Sequence, residues 1–108
     1  MLPWYDYLAH FFAGAFLANG LPHFVQGMCG NKFQSPFASP PGVGESSALV
    51  NVLWGWFNFV VGLALLRIFL PPLPPPPGDI AVIMLGALAI GLWLANHFGK
   101  VRNSAPQR

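Results

Sequence analysis

The sequence is short of charge. Five Lys or Arg and three Asp or Glu make up 7% of its 108 residues. A soluble domain ordinarily carries about 25% charged residues. The chain therefore lacks the polar side chains needed to cover a water-soluble core. It also lacks the dense basic stripe of a nucleic-acid surface, because three of its five cations sit in the tail as Lys100, Arg102 and Arg108. Cysteine occurs once, at Cys29, which excludes an intramolecular disulfide and a Cys-rich metal site. There is no phosphate loop, nucleophile elbow, metalloprotease motif or paired carboxylate. The residues thus nominate no catalytic group and no metal set, and hydrolytic chemistry is not expected.

What the chain does have is three long apolar runs, about 4–28, 48–70 and 80–98. A helix needs about 20 residues to cross a bilayer. The runs contain only two formal charges, Asp6 and Arg67, each near an end. The expected fold is all-α: one membrane domain over residues 1–108, built as an integral membrane bundle of three transmembrane helices. The first run opens with Asp6 and has no basic leader or small-x-small cleavage site, so it is expected to be retained and not removed as a signal peptide.

Local signals divide the chain further. Pro3 suits a first helical turn. The Asn19-Gly20-Leu21-Pro22 sequence predicts an interruption, with the first helix kinked at Pro22. The loop 29–47 holds Pro36, Pro40, Pro41, Gly42 and Gly44, which oppose regular structure. Its Phe33 and Phe37 suggest that it folds back onto the membrane surface or the helix ends. Ser46 or Ser47 is a candidate cap for the second helix. The Pro-rich turn 71–79 reads as a stiff extended spacer, with Asp79 as a cap for the third helix at its water-exposed end. An Arg67–Asp79 ion pair is a candidate across this turn. Gly99 is a candidate terminator, followed by a disordered tail within 99–108.

The basic residues orient the chain. Lys32 and the tail cations fall on one side, and Asp6 and Asp79 on the other. The positive-inside rule then predicts a cytoplasmic C-terminus. The predicted location is the cytoplasmic (inner) membrane of a bacterium, as a multi-pass protein.

Helical spacing exposes candidate faces. Asn51, Gly55, Asn58 and Gly62 fall on one stripe of the second helix. Small residues permit close helix approach, and amides hydrogen-bond across it. This stripe reads as packing glue or as the lining of a polar site. Gly14 with His10 and Ala18, and Gly86 with Trp93 and His97, give faces on the other two helices. Ala87, Gly91 and Ala95 form a second small-residue face, free for oligomer contacts. Near the predicted break, Asn19 and His23, with Gln26, are candidates to meet Asn51. Asn19, His23, Asn51 and Asn58 are therefore the candidate ligand-binding residues. A structural hydrogen bond is the alternative for each. His97, Asp6 and Asp79 read as interfacial groups, and His10 as an ionisable residue near a span. A haem pair of His23 and His97 has no supporting spacing motif, so no cofactor is assigned.

The blocks Asn19-Gly20-Leu21-Pro22-His23-Phe24-Val25, Pro36-Phe37-Ala38, Pro40-Pro41-Gly42 and Val50-Asn51-Val52-Leu53-Trp54-Gly55 resemble a group of small, uncharacterised bacterial integral membrane proteins, across roughly residues 1–60. The layout is also loosely similar to the DoxX-like membrane proteins, which have four short helices and redox associations. Three spans depart from that pattern. The resemblance implies a membrane location and no particular activity. The leading expectation is an associating or accessory subunit, as a homo-oligomer or within a larger membrane complex in contact with the lipid bilayer. The alternative is a small-molecule, quinone or proton-handling protein with its site near His23 and Asn51.

Overall fold

A computed structural model describes residues 2–104 of the chain. Three helices dominate it: α1 (Trp4–Met28), α2 (Ala48–Ile68) and α3 (Pro77–Asn103). Each is long and apolar enough to cross a membrane. Two short antiparallel strands, β1 (Phe33–Gln34) and β2 (Glu45–Ser46), pair within the α1–α2 loop. The molecule is elongated, with extents of 55 × 24 × 21 Å.

The distribution of residue types is inverted relative to a water-soluble protein. The buried hydrophobic residues among those described are Ala9, Ala13, Phe33 and Leu94. The buried polar ones include His10, His23, Asn51, Asn58 and Asp79. Leu53, Trp56, Leu63, Met84, Leu88 and Leu92 point outward. The interior is thus small and polar, and the exterior is large and apolar.

Helix α1 is the hub and packs against both α2 and α3. Glycine makes both approaches possible. A Cβ on Gly55 of α2 would stand 2.7 Å from the Gly20 carbonyl oxygen and 2.6 Å from the Phe24 amide. One on Gly27 would stand 2.6 Å from the Ala48 carbonyl. On the other side, a Cβ on Gly14 would overlap the Ile83 carbonyl, and one on Gly86 would overlap that of Phe11. Gly62 receives the Leu17 side chain. All four members of the Asn51, Gly55, Asn58, Gly62 stripe are buried, and they are the buried residues of α2.

Several expectations require correction. Helix α1 runs on from Asn19 through Pro22 without a break. Helix α3 begins at Pro77, with Pro76 as its cap residue, so Asp79 lies inside the first turn and does not cap it. Gly99 does not end α3, which continues to Asn103. A single glycine costs a helix only about 1 kcal/mol, and Arg102 ties the last turn to the loop through Gln34 at 2.9 Å. The part of the predicted tail beyond residue 104 lies outside the described residues. Gly91 has nothing within 4 Å of where its Cβ would stand, so it takes no part in packing within the chain. Its face looks outward.

The two glycine seams generate a test. Gly55→Leu should destabilise the protein by about 1–3 kcal/mol or more, because backbone cannot yield as a side chain can. Gly91→Leu should be nearly neutral. Thermal unfolding of both variants in the same detergent distinguishes them.

Candidate functional site

The loop between α1 and α2 folds onto one end of the helices. Ser35 organises it. Its carbonyl accepts from the Gly42 amide at 2.8 Å, and its hydroxyl accepts from the Phe37 amide at 3.1 Å. The Ser35 and Ser46 hydroxyls lie 2.5 Å apart. Gly42 adopts a φ of +75°, a conformation that side-chain-bearing residues rarely take. The irregular loop expected from its prolines is therefore an ordered cap with a short ladder. Phe33 is buried, with ring centroids 5.4 Å from His23 and 4.8 Å from Phe98.

Asn51 fastens this cap to the helices. Its amide nitrogen lies within hydrogen-bond reach of the carbonyls of Phe33 (3.0 Å), Ser46 (3.2 Å) and Ser47 (3.0 Å). Its side-chain oxygen then faces His23 Nδ1 at 2.9 Å. An amide oxygen only accepts, so Nδ1 carries a proton. In the neutral ring this leaves Nε2 as the acceptor. Ser47 caps α2 by accepting from the Val50 amide at 3.2 Å.

The second amide of the stripe forms a shorter chain. Asn19 Nδ2 donates to Asn58 Oδ1 at 2.9 Å, and Asn58 Nδ2 donates to the Trp54 carbonyl at 2.8 Å. The predicted residues therefore meet as two pairs, His23 with Asn51 and Asn19 with Asn58. Gln26 does not join them, because its side-chain oxygen accepts from Asn31 at 2.9 Å.

Between the cap and the helices lies a cavity of about 180 Å³. Asn19, His23, Trp54, Trp93, His97 and Phe98 contribute to its wall. The His97 ring stacks on Trp93, with centroids 5.0 Å apart and planes at 6°. His97 Nε2 donates to the Gly42 carbonyl at 2.7 Å, so this residue joins α3 to the cap. Trp54 Nε1 is buried and has no hydrogen-bond partner among the described residues. The wall thus combines flat aromatic faces with the polar side chains of Asn19 and His23. It suits a small flat molecule bearing both an acceptor and a donor. Asn51 and Asn58 stand behind this wall as supports. Trp54, Trp93 and His97 were not foreseen as ligand-facing residues. Trp93 and His97 share a face of α3, and only the folded chain brings Trp54 of α2 to the same cavity.

The opposite end carries a cluster the sequence did not predict. Asp79 is buried and pairs with His10 Nδ1. His10 Nε2 lies 2.5 Å from the Phe69 carbonyl. The expected wet, cap-like Asp79 is overturned, and its partner is His10 and not Arg67, which is exposed. Burial is tolerable because the histidine supplies the compensating proton.

No protein-family model, curated protein or solved structure matches the chain.

Replacing Asn51 tests the role of the fastening. Asn51→Leu strands several loop carbonyls, at about 1–3 kcal/mol for a lost buried partner. Amide exchange across Phe33–Ser46 should accelerate, while exchange in the middle of α3 stays slow.

Proposed function

We propose that the protein is a multi-pass membrane protein that holds a small planar molecule in the cavity beneath the α1–α2 loop. The single observation that carries this reading is the cavity itself, walled by the flat rings of Trp54, Trp93 and Phe98 with the polar Asn19 and His23. A hydroxyl on the bound molecule would donate to His23 Nε2 or to the Asn19 oxygen. Trp93 and Phe98 would cover its faces. A quinol headgroup has this combination of a flat ring and hydroxyls that both donate and accept, and a volume of about 180 Å³ accommodates a substituted ring.

The apolar exterior and polar interior support placement in a bilayer, where lipid solvates the outer side chains and buried polar groups must pair internally. The loop and the C-terminal end of α3 lie at the same end of the molecule, joined by His97 and Arg102. With Lys32, Lys100 and Arg102 there, we place that end in the cytoplasm and the protein in a bacterial inner membrane. Pro22 lacks the amide that would bond to the Ala18 carbonyl, and we propose that α1 bends there, beside the cavity.

A second reading is association with another membrane protein or a second copy. The outward-facing Gly91 and Ala95 favour it. The Asn51–Gly62 stripe does not, because α1 already covers it. Purification in mild detergent with mass spectrometry would recover a stoichiometric partner under this second reading.

The ligand reading is tested by titrating a short-chain benzoquinol, kept reduced, into the protein in lipid nanodiscs and following tryptophan fluorescence. Saturable quenching is expected. It should weaken about tenfold in Asn19→Ala and in His23→Ala, as for loss of one or two buried hydrogen bonds. Quenching that rises linearly with concentration, equally in all variants, would mean simple partitioning into lipid and would defeat the reading.

A further inference from the structure

At the end of the molecule away from the cavity, three elements converge on one buried pair. His10 comes from α1, Asp79 from the first turn of α3, and the Phe69 carbonyl from the residue that ends α2. That carbonyl is one of those a helix end leaves without an internal partner.

The proton inventory of this cluster follows from its geometry. The Phe69 carbonyl only accepts, so His10 Nε2, 2.5 Å away, carries a hydrogen. The other ring nitrogen, Nδ1, bonds to Asp79 Oδ1. One proton must lie between them. It resides on Nδ1, giving imidazolium and carboxylate, or on Oδ1, giving imidazole and carboxylic acid. Both arrangements are neutral overall, and both keep the bond. Removing that proton leaves two lone pairs in opposition and a net charge of −1. Adding another, on the unpartnered Asp79 Oδ2, keeps the bond but leaves a net charge of +1.

The surroundings make either charge costly. His10 side-chain exposure is 0% and that of Asp79 is 1%. Asp79 Oδ2 is buried with no hydrogen-bond partner among the described residues. The other charged or titratable groups at this end, among the described residues, are Tyr5, Asp6 and Tyr7 on α1, within the two turns before His10, and the exposed Arg67 on α2. Helix α3 brings Asp79 alone. With so little surface open to a water-sized sphere, the pair has no room for a metal ion or an organic molecule. A proton needs none.

We propose that His10 and Asp79 form a binding site for a single exchangeable proton, and that its occupancy holds the start of α3 against α1 and the end of α2. With the proton in place the cluster is neutral and closed. When it leaves, the uncompensated charge separates Asp79 from His10 and carries the first turn of α3 away from α1. The site is independent of the proposed ligand cavity. His10 and His23 lie thirteen residues apart on α1, about 20 Å along a helix.

The test uses the full chain in lipid nanodiscs, with histidine labelled by nitrogen-15. Ring-nitrogen resonances are followed from about pH 4 to pH 10, the range in which carboxyl and imidazole groups ordinarily titrate when perturbed. The expected result is one single-proton step at His10, during which Nε2 stays protonated. Protection of the Ile80–Met84 amides, taken relative to the intrinsic exchange rate at each pH, should fall about tenfold or more through the same step, as expected for local opening. Asp79→Asn should abolish the step. The exchanged pair, His10→Asp with Asp79→His, keeps one shared proton and should restore it. Unchanged His23 resonances report that each variant is folded. The proposal is overturned if the wild-type protein shows no step across the range. It is equally overturned by a step that leaves the protection of the α3 amides unaltered or that survives in Asp79→Asn.

Discussion

Backbone meets backbone on both sides of α1, and the rest of the structure depends on that closeness. Gly20, Gly27 and Gly55 bring α1 against α2, and Gly14 and Gly86 bring it against α3. At such separations large apolar side chains have no place in the interior. They point outward, and small and polar residues remain inside. In lipid the apolar exterior adds no drive to assembly, so packing and internal hydrogen bonds carry it. The close seams are what let short side chains such as Asn19 and Asn58 reach one another.

Each end of the bundle resolves its polar groups in its own way. At the loop end, Asn51 gathers carbonyls from β1 and from the segment leading into α2, and orients His23. Its role is to convert a proline-rich connection into a lid of defined shape. At the other end the free carbonyl of Phe69 and the carboxylate of Asp79 converge on a single imidazole. The first arrangement leaves an opening walled by indole and imidazole rings. The second leaves both side chains almost fully covered.

Much of this was legible in the sequence, for identifiable reasons. The three helices follow from run length and the scarcity of charge. The buried face of α2 follows from a spacing of four, three and four residues, which stays on one side of a helix whatever it meets. Ser47 was readable as a cap because capping is local. Other features depended on what lies opposite. Gly91 and Gly86 look alike within α3, yet only Gly86 meets a backbone. Gly20 read as a breaker and is a contact. Asp79 sits where most carboxylates are wet, and only the position of His10 on another helix decides otherwise. The ladder in the loop and the meeting of Trp54 with the Trp93 and His97 face of α3 are tertiary products, with no periodic signal to announce them.

Helix α1 is the shared partner of both other helices, and it is also the first to be made. On the multi-pass reading it enters the bilayer with two glycine seams and the polar Asn19 and His23 uncovered. Synthesis of α2 covers one seam and supplies Asn51 and Asn58 together. The acid of the His10 pair arrives only with α3, after its histidine and the Phe69 carbonyl are already placed. The order of residues along the chain therefore doubles as an order of assembly, in which the costliest group to bury enters last, into a site that is ready for it.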